Sequence, residues 1–106
     1  MRLDPHYPAI YLSWLGHAYR LNGQSEVAIA ILQKAVKRSP NYVFPHLHLV
    51  VTYSDGDREE EAQAEAAEVL RINPDFSVEG LGQILPFKDP AVSEYYLAAL
   101  RKAGLE

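Results

Sequence analysis

Four histidines are the residues in this 106-residue chain best suited to chemistry, because imidazole binds metals and moves protons near neutral pH. Their spacing argues against a metal centre. His46 and His48 stand two apart in a stretch with helical periodicity, which turns them about 200° from each other. His17 lies in another segment, and no cysteine or paired carboxylate nearby completes a ligand set. The run "DGDREEE" (Asp55 to Glu61) carries the carboxylates of a calcium loop. Counted from Asp55, however, the sixth and twelfth places hold Glu60 and Ala66, where glycine and glutamate are needed. Ser13, His17 and Asp55 are the residue types of a nucleophilic triad, but nothing in the sequence brings them to an enclosed pocket. No Gly-rich phosphate loop and no Gly-x-Ser-x-Gly elbow is present. The expectation is a chain with no catalytic residues, no metal and no cofactor.

Composition narrows the field further. At 48% hydrophobic and 23% charged residues the chain reads as one globular domain. No apolar run reaches the roughly 18–20 residues of a membrane span, and the N-terminus lacks a signal layout, so a cytoplasmic protein is expected. Without cysteine there are no disulfides and no thiolate chemistry. The net charge of −4 speaks against nucleic acid, whose binders carry a basic face. That charge is uneven: residues 1–53 hold five bases and two acids, residues 54–106 five bases and twelve acids. Such polarity suits either head-to-tail contact between copies or plain solvated surface.

The elements that position these residues repeat. "KRSPNY" (Lys37 to Tyr42) returns 34 residues later as "RINPDF" (Arg71 to Phe76), and "RLDPHY" (Arg2 to Tyr7) has the same form. Setting residues 9–42 over 43–76 pairs Leu15 with Leu49, Tyr19 with Tyr53, Glu26 with Glu60 and Ala28 with Ala62. Each unit reads as two helices. In the first, Leu12, Leu15 and Tyr19 share a face, "NGQ" breaks the helix at Gly23, and Ser25 caps the next one. There Val27, Ala28, Ile31, Leu32, Ala35 and Val36 form an apolar stripe, and Pro40 ends it. The second unit runs from "FPHLHLVVTY" through a turn at "SDGDR" to "EEEAQAEAAEVLRI", stopped at Pro74.

A 34-residue helix–turn–helix period with Leu15-Gly16, Tyr19, Ala28, Leu32, Ala35 and Pro40 resembles the tetratricopeptide repeat (TPR) family. The second unit supplies Leu49, Tyr53, Ala62 and Pro74, and departs at Val50 and Val69, which are bulky, and at Ala66, which is small. Those departures can offset one another in volume. The resemblance covers about 68 of the 106 residues. It implies an all-α, right-handed α-α superhelix, a TPR solenoid, with residues 9–42 as repeat 1, 43–76 as repeat 2 and 1–8 as the end of a preceding repeat. It also implies a non-enzymatic module that binds a protein or peptide partner on a concave surface. Carried over by position, that groove presents Ile10, Ser13, His17 and Arg20 from the first unit and Phe44, Leu47, Val51 and Ser54 from the second. Phe44, Leu47 and Val51 would form an apolar stripe suited to an amphipathic segment with an acidic end. The family's carboxylate clamp is absent, since Ser13 and His17 stand where a lysine and an asparagine are expected, so chaperone tail peptides should not bind. Trp14, at a position usually polar in the family, would pack on Tyr7 or serve assembly.

After Phe76 the period fails. A short apolar segment with Val78, Leu81, Ile84 and Leu85 runs to Pro86. A final helix follows, with Asp89 as N-cap, Pro90 at its first position, Val92, Tyr96, Leu97 and Leu100 on one side, and Gly104-Leu105 as its stop. Residues 77–106 are expected to cap the solenoid; the alternative is that Tyr95 and Tyr96 lie in the binding groove. "PFKDP" and "LRKAGL" resemble the C-terminal TPR regions of bacterial signalling proteins, such as those that follow a class III adenylate or guanylate cyclase. That likeness implies a regulatory or docking module within a longer bacterial chain. A second reading is self-association through the open N-terminal end, giving a monomer or a weak homo-oligomer.

Overall fold

The computed structural model describes residues 7–85 and 89–106, the side chain of Tyr7 excepted. It is all-helical among the described residues: α1 (Tyr7–Leu21), α2 (Ser25–Arg38), α3 (Val43–Asp55), α4 (Glu59–Ile72), α5 (Val78–Gly82) and α6 (Pro90–Lys102). Residues 2–6 and the side chain of Tyr7, read above as the end of a preceding repeat and a seat for Trp14, lie outside what is described, as do residues 86–88.

The first two helical hairpins are built on one plan. α1 packs along α2 and α3 along α4, and α2 meets α3, so the pairs stack in chain order. The turn inside each pair is the same. The Gly23 N–H donates to the Arg20 carbonyl (3.0 Å) and the Gln24 N–H to that of Tyr19 (2.9 Å). The Asp57 N–H donates to Ser54 (3.2 Å) and the Arg58 N–H to Tyr53 (2.9 Å). This is the Schellman pattern, which needs one left-handed residue. Gly23 supplies it at φ 79°, and Asp57, not Gly56, supplies it at φ 58°. Gln24, whose side chain makes no capping bond, is the N-cap of α2, so Ser25 is already helical and does not cap it.

The connection between the pairs also recurs. Ser39 and Asn73 follow α2 and α4, and their N–H groups donate to Ala35 and Val69. Tyr42 and Phe76 then donate back to Ser39 and Asn73, both at 3.0 Å. Each proline sits between these anchors, where helix can no longer continue.

Packing follows the apolar spacing with local rotations. Ala28, Leu32 and Ala35 are buried as the stripe requires, but Ile29 is buried in place of Val27, which is 43% exposed. Gly16 is needed for space: a Cβ there would come within 2.6 Å of Leu32 Cγ. In the second pair the equivalent places hold Val50 and Ala66, both buried in the core.

α6 closes the structure. Asp89 Oδ1 accepts from the Ala91 N–H (2.9 Å), Pro90 opens the helix, and Gly104 (φ 108°) with Leu105 ends it in another Schellman turn. Leu100 and Leu105 join the core with Ala62 and Val69, and the Val78 N–H donates to the Glu106 carbonyl (2.8 Å).

Candidate functional site

The face that α1 turns toward α3 carries the ionisable residues singled out above. Ser13, His17 and Arg20 recur at intervals of four and three, so they share one side of α1. All three are buried. Across from them α3 presents Phe44, His48 and Asp55, a stripe one residue, or about 100°, away from the expected Leu47 and Ser54. Trp14 lies 6.0 Å from Phe44 and 5.0 Å from His48 between ring centroids, and Arg20 Nη1 donates to Asp55 Oδ2 at 3.1 Å.

The sequence-derived groove residues therefore divide. Ile10 and Phe44 are half-buried, while Ser13, His17 and Arg20 are brought together under the α1–α3 seam. Leu47 and Val51 are fully buried, so the apolar stripe lies inside the core and not on the surface. Leu47 lines a cavity with Phe76, Leu81 and Ile84, because α5 lies over that side of α3. Ser54 lines another with Glu59, Lys102 and Ala103 beside the end of α6.

His48, weighed in the sequence only as a metal ligand, is not among the groove residues expected there, yet it lies at the centre of this face. Its ring centroid is 5.0 Å from that of His17, the planes tilted by 33°, and Trp14 meets the His17 ring edge-on at 5.8 Å. Tyr96, fully buried on α6, packs 6.0 Å from His17 and 5.6 Å from His48. Its hydroxyl is hydrogen-bonded to His48 Nδ1 at 2.9 Å. Beside it the Tyr95 hydroxyl donates to Asp55 Oδ1. α6 and the turn after it thus close the core with Leu100 and Leu105, and α6 also lays two tyrosines over the face shared by α1 and α3. Tyr95 and Tyr96 are the two residues that the alternative to a cap, given above, sets in the groove.

Burial sets the charge states. It is the main cause that pushes His17 down to about 4, with the Arg20 guanidinium adding to it. Burial, then His17 and Arg20, hold His48 well below its usual value. His46, two residues away, does the opposite. Burial alone would lower it, but the hydrogen bond to Glu65 (2.6 Å), the Pro40 carbonyl (3.0 Å) and the charges of Glu65 and Glu68 outweigh that and raise it. The geometry says the same: acceptors face both ring nitrogens, and only imidazolium donates from both.

No group of three or more metal-ligating side chains occurs among the described residues. A cleft of roughly 580 Å³ runs beside α2 and α4 with Lys34, Lys37, Leu49 and Glu65, the partner of His46, on its walls. No described helix is long and apolar enough to cross a membrane.

No curated protein and no solved structure matches the chain. The family model of the tetratricopeptide repeat matches residues 9–42. Repeats of that kind generally mediate protein–protein interaction and are typically non-catalytic. With six helices among the described residues, the first four stacked as two hairpins, and the match over residues 9–42, the architecture is that of a TPR-like helical repeat.

Proposed function

We propose that the chain is a protein-interaction module that holds a peptide or helix of a partner protein on the concave face of α1 and α3. The observation that carries this reading is the make-up of that face. Trp14, His17, Arg20, Phe44 and His48 converge there, although aliphatic side chains would serve simple stacking better. Ile10 and Phe44 offer an apolar edge, while Ser13, His17 and Arg20 offer polar contacts once α6 is displaced. Leu47, Val51 and Ser54 support the face from beneath. The tail's resemblance to signalling proteins extends the proposal to a docking role inside a larger bacterial regulatory protein in the cytoplasm. The test is binding by a library of helical peptides to wild type and to Ile10→Glu and Arg20→Gln variants, with circular dichroism confirming that each is folded. Selected peptides should bind the wild type at micromolar affinity and each variant at least about tenfold more weakly, a loss of about 1.4 kcal/mol. Equal affinity for all three chains would remove the concave face from consideration.

A second reading is favoured by a separate observation. Tyr11, Leu21 and Val27 are large, apolar and exposed on the first hairpin, beside a shallow cleft lined by Leu15, Ala18, Tyr19 and Asn22. This side suits self-association. Sedimentation over a range of concentration and salt separates the two readings: a dimer weakened by Tyr11→Ser supports assembly, and a monomer throughout supports the ligand face alone.

A further inference from the structure

The cleft beside α2 and α4 shares no lining residue with the α1–α3 face, and its two walls treat charge differently. On α2, Ala30, Gln33, Lys34 and Lys37 recur at helical spacing, so one stripe of the helix lines the opening. Half-buried Val36 and buried Leu49 give it an apolar floor, and Glu65 stands opposite on α4. The carboxylates along this side of α4 are each matched within the chain: Glu61 by Arg58 (2.6 Å), Glu65 by His46 (2.6 Å) and Glu68 by Arg71 (3.2 Å). Lys34 and Lys37 make no ion pair among the described residues. The repeat shows what else their places can hold. Their counterparts 34 residues on are Glu68 and Arg71, an opposite-charge pair that satisfies itself across one turn. Two lysines at that spacing repel each other instead. The first hairpin thus forgoes a stabilising pair and lines a cleft with two like charges, which nothing in the packing requires.

We propose that this cleft is a docking site for an acidic amphipathic helix of a partner protein, whose apolar edge lies over Val36 and Leu49 and whose carboxylates meet Lys34 and Lys37. Charge selects the occupant. With Glu65 held by His46, the unbalanced charge of the cleft is that of the two lysines, so an acidic segment is attracted and a basic one repelled. Spacing agrees: carboxylates three or four apart on a helix stand about 5–6 Å apart between Cβ atoms, as the lysines do. The volume is within the range of about 300–1,000 Å³ in which a few side chains are held. Nucleic acid is less suited, because two bases beside an apolar floor make a small basic surface on a chain of net charge −4.

Both lysines are exposed, so their attraction acts chiefly on selectivity and association and weakens as salt rises. The site does not rest on the α1–α3 face proposed above. Occupation of both would let one chain join two partners.

The experiment titrates synthetic amphipathic helices, each with a leucine stripe edged by glutamates, into the isotope-labelled whole chain followed by NMR. Twin peptides carry glutamine in place of every glutamate. The acidic helices should bind at micromolar Kd and at least about tenfold more tightly than their twins, with shift changes gathered on residues 30–37 and on Glu65. Lys34→Glu gives α2 the opposite-charge arrangement that Glu68 and Arg71 have on α4, so its Tm should not fall, while binding weakens by about tenfold or more. Absence of binding by every acidic helix, equal affinity for the glutamine twins, or unchanged affinity in Lys34→Glu overturns the proposal. Shift changes gathered on α1 and the facing side of α3 overturn it too and favour the concave face. Duplex DNA bound as tightly as the acidic helices would make the lysines a general anion patch, and also overturns it. Binding at the cleft with none on the concave face supports this site and leaves the other reading to fail alone.

Discussion

Where α1 crosses α2, Gly16 lies directly under Leu32; in the next hairpin the same two places are filled by Val50 and Ala66. Volume has moved from one helix to the other with the core still closed, as redistributed volume permits. A second exchange is chemical. Leu12 and Ile31 of the first hairpin are apolar and half-buried, while their counterparts are the ion pair His46–Glu65. A third is in the turn, glycine at the left-handed position in one hairpin and aspartate in the other. The 34-residue plan therefore specifies geometry at each position and leaves open how that geometry is satisfied.

The volume exchange is the place to break the comparison hardest. Leu32→Ala should cost about 2–5 kcal/mol in urea unfolding, because its fully buried side chain fills the space over Gly16. Gly16→Val alone should cost about 1–3 kcal/mol by overpacking against Leu32. Together they recreate the solution of the second hairpin, and the double variant should be more stable than the sum of the two losses by about 1 kcal/mol or more. Strict additivity would mean that the two places are not coupled as the structure has them.

Next in size is the tie between the hairpins. Asp55→Asn removes the charge facing the buried Arg20 and weakens the hold on Tyr95, and should cost about 1.5–3 kcal/mol. Thermal unfolding of the variant beside Ser54→Ala, which touches neither group, measures it.

The ion pair that replaces Leu12 and Ile31 gives a smaller, pH-dependent effect. His46 binds its proton more tightly in the folded chain, so its contribution is complete below about pH 6.5 and is lost as pH rises through the elevated folded value. His17 and His48 have the opposite sign over the range below about 6.5, so the wild-type profile is a difference of the two. In Glu65→Gln the loss of stability on raising the pH should shrink by about 1 kcal/mol, leaving the acid-side loss in place. An unchanged alkaline limb would remove Glu65 as the cause.

The turn is the finest test. Asp57→Gly gives the second hairpin the residue type that the first uses at the left-handed position, and should stabilise the chain by about 0.5–1 kcal/mol. The same glycine placed by Ala103→Gly, where φ is −81°, should not stabilise.

Much of this architecture was readable from the chain. Glycine and proline punctuation at Gly23, Pro40, Pro74 and Gly104 is local, and so are the N-cap at Asp89 and the 34-residue period. Local chemistry fixes such features before any tertiary contact forms. The failures have a common cause. Ser25 is not the cap of α2 because the Schellman turn ends at Gln24, whose carbonyl already accepts the first helical bond, from Ala28. Ile29 is buried and Val27 exposed because α2 is rotated against its neighbours by an amount no periodicity contains. On α3 the same kind of rotation turned Phe44, His48 and Asp55, in place of Leu47 and Ser54, toward α1. The meeting of His17 with His48 depends on where two helices from different repeats cross, and the covering of both depends on α6, forty-eight residues along from His48.

That long separation has a kinetic side. The contacts inside each hairpin and between neighbouring helices are short in sequence, and chains dominated by such contacts fold fast. The Tyr96–His48 and Tyr95–Asp55 bonds span 48 and 40 residues, and loop closure over that distance must precede any reward from them. The hairpins are therefore expected to assemble before α6 docks on them. A chain in that interval would leave the side of α1 and α3 that Tyr95 and Tyr96 cover open to solvent.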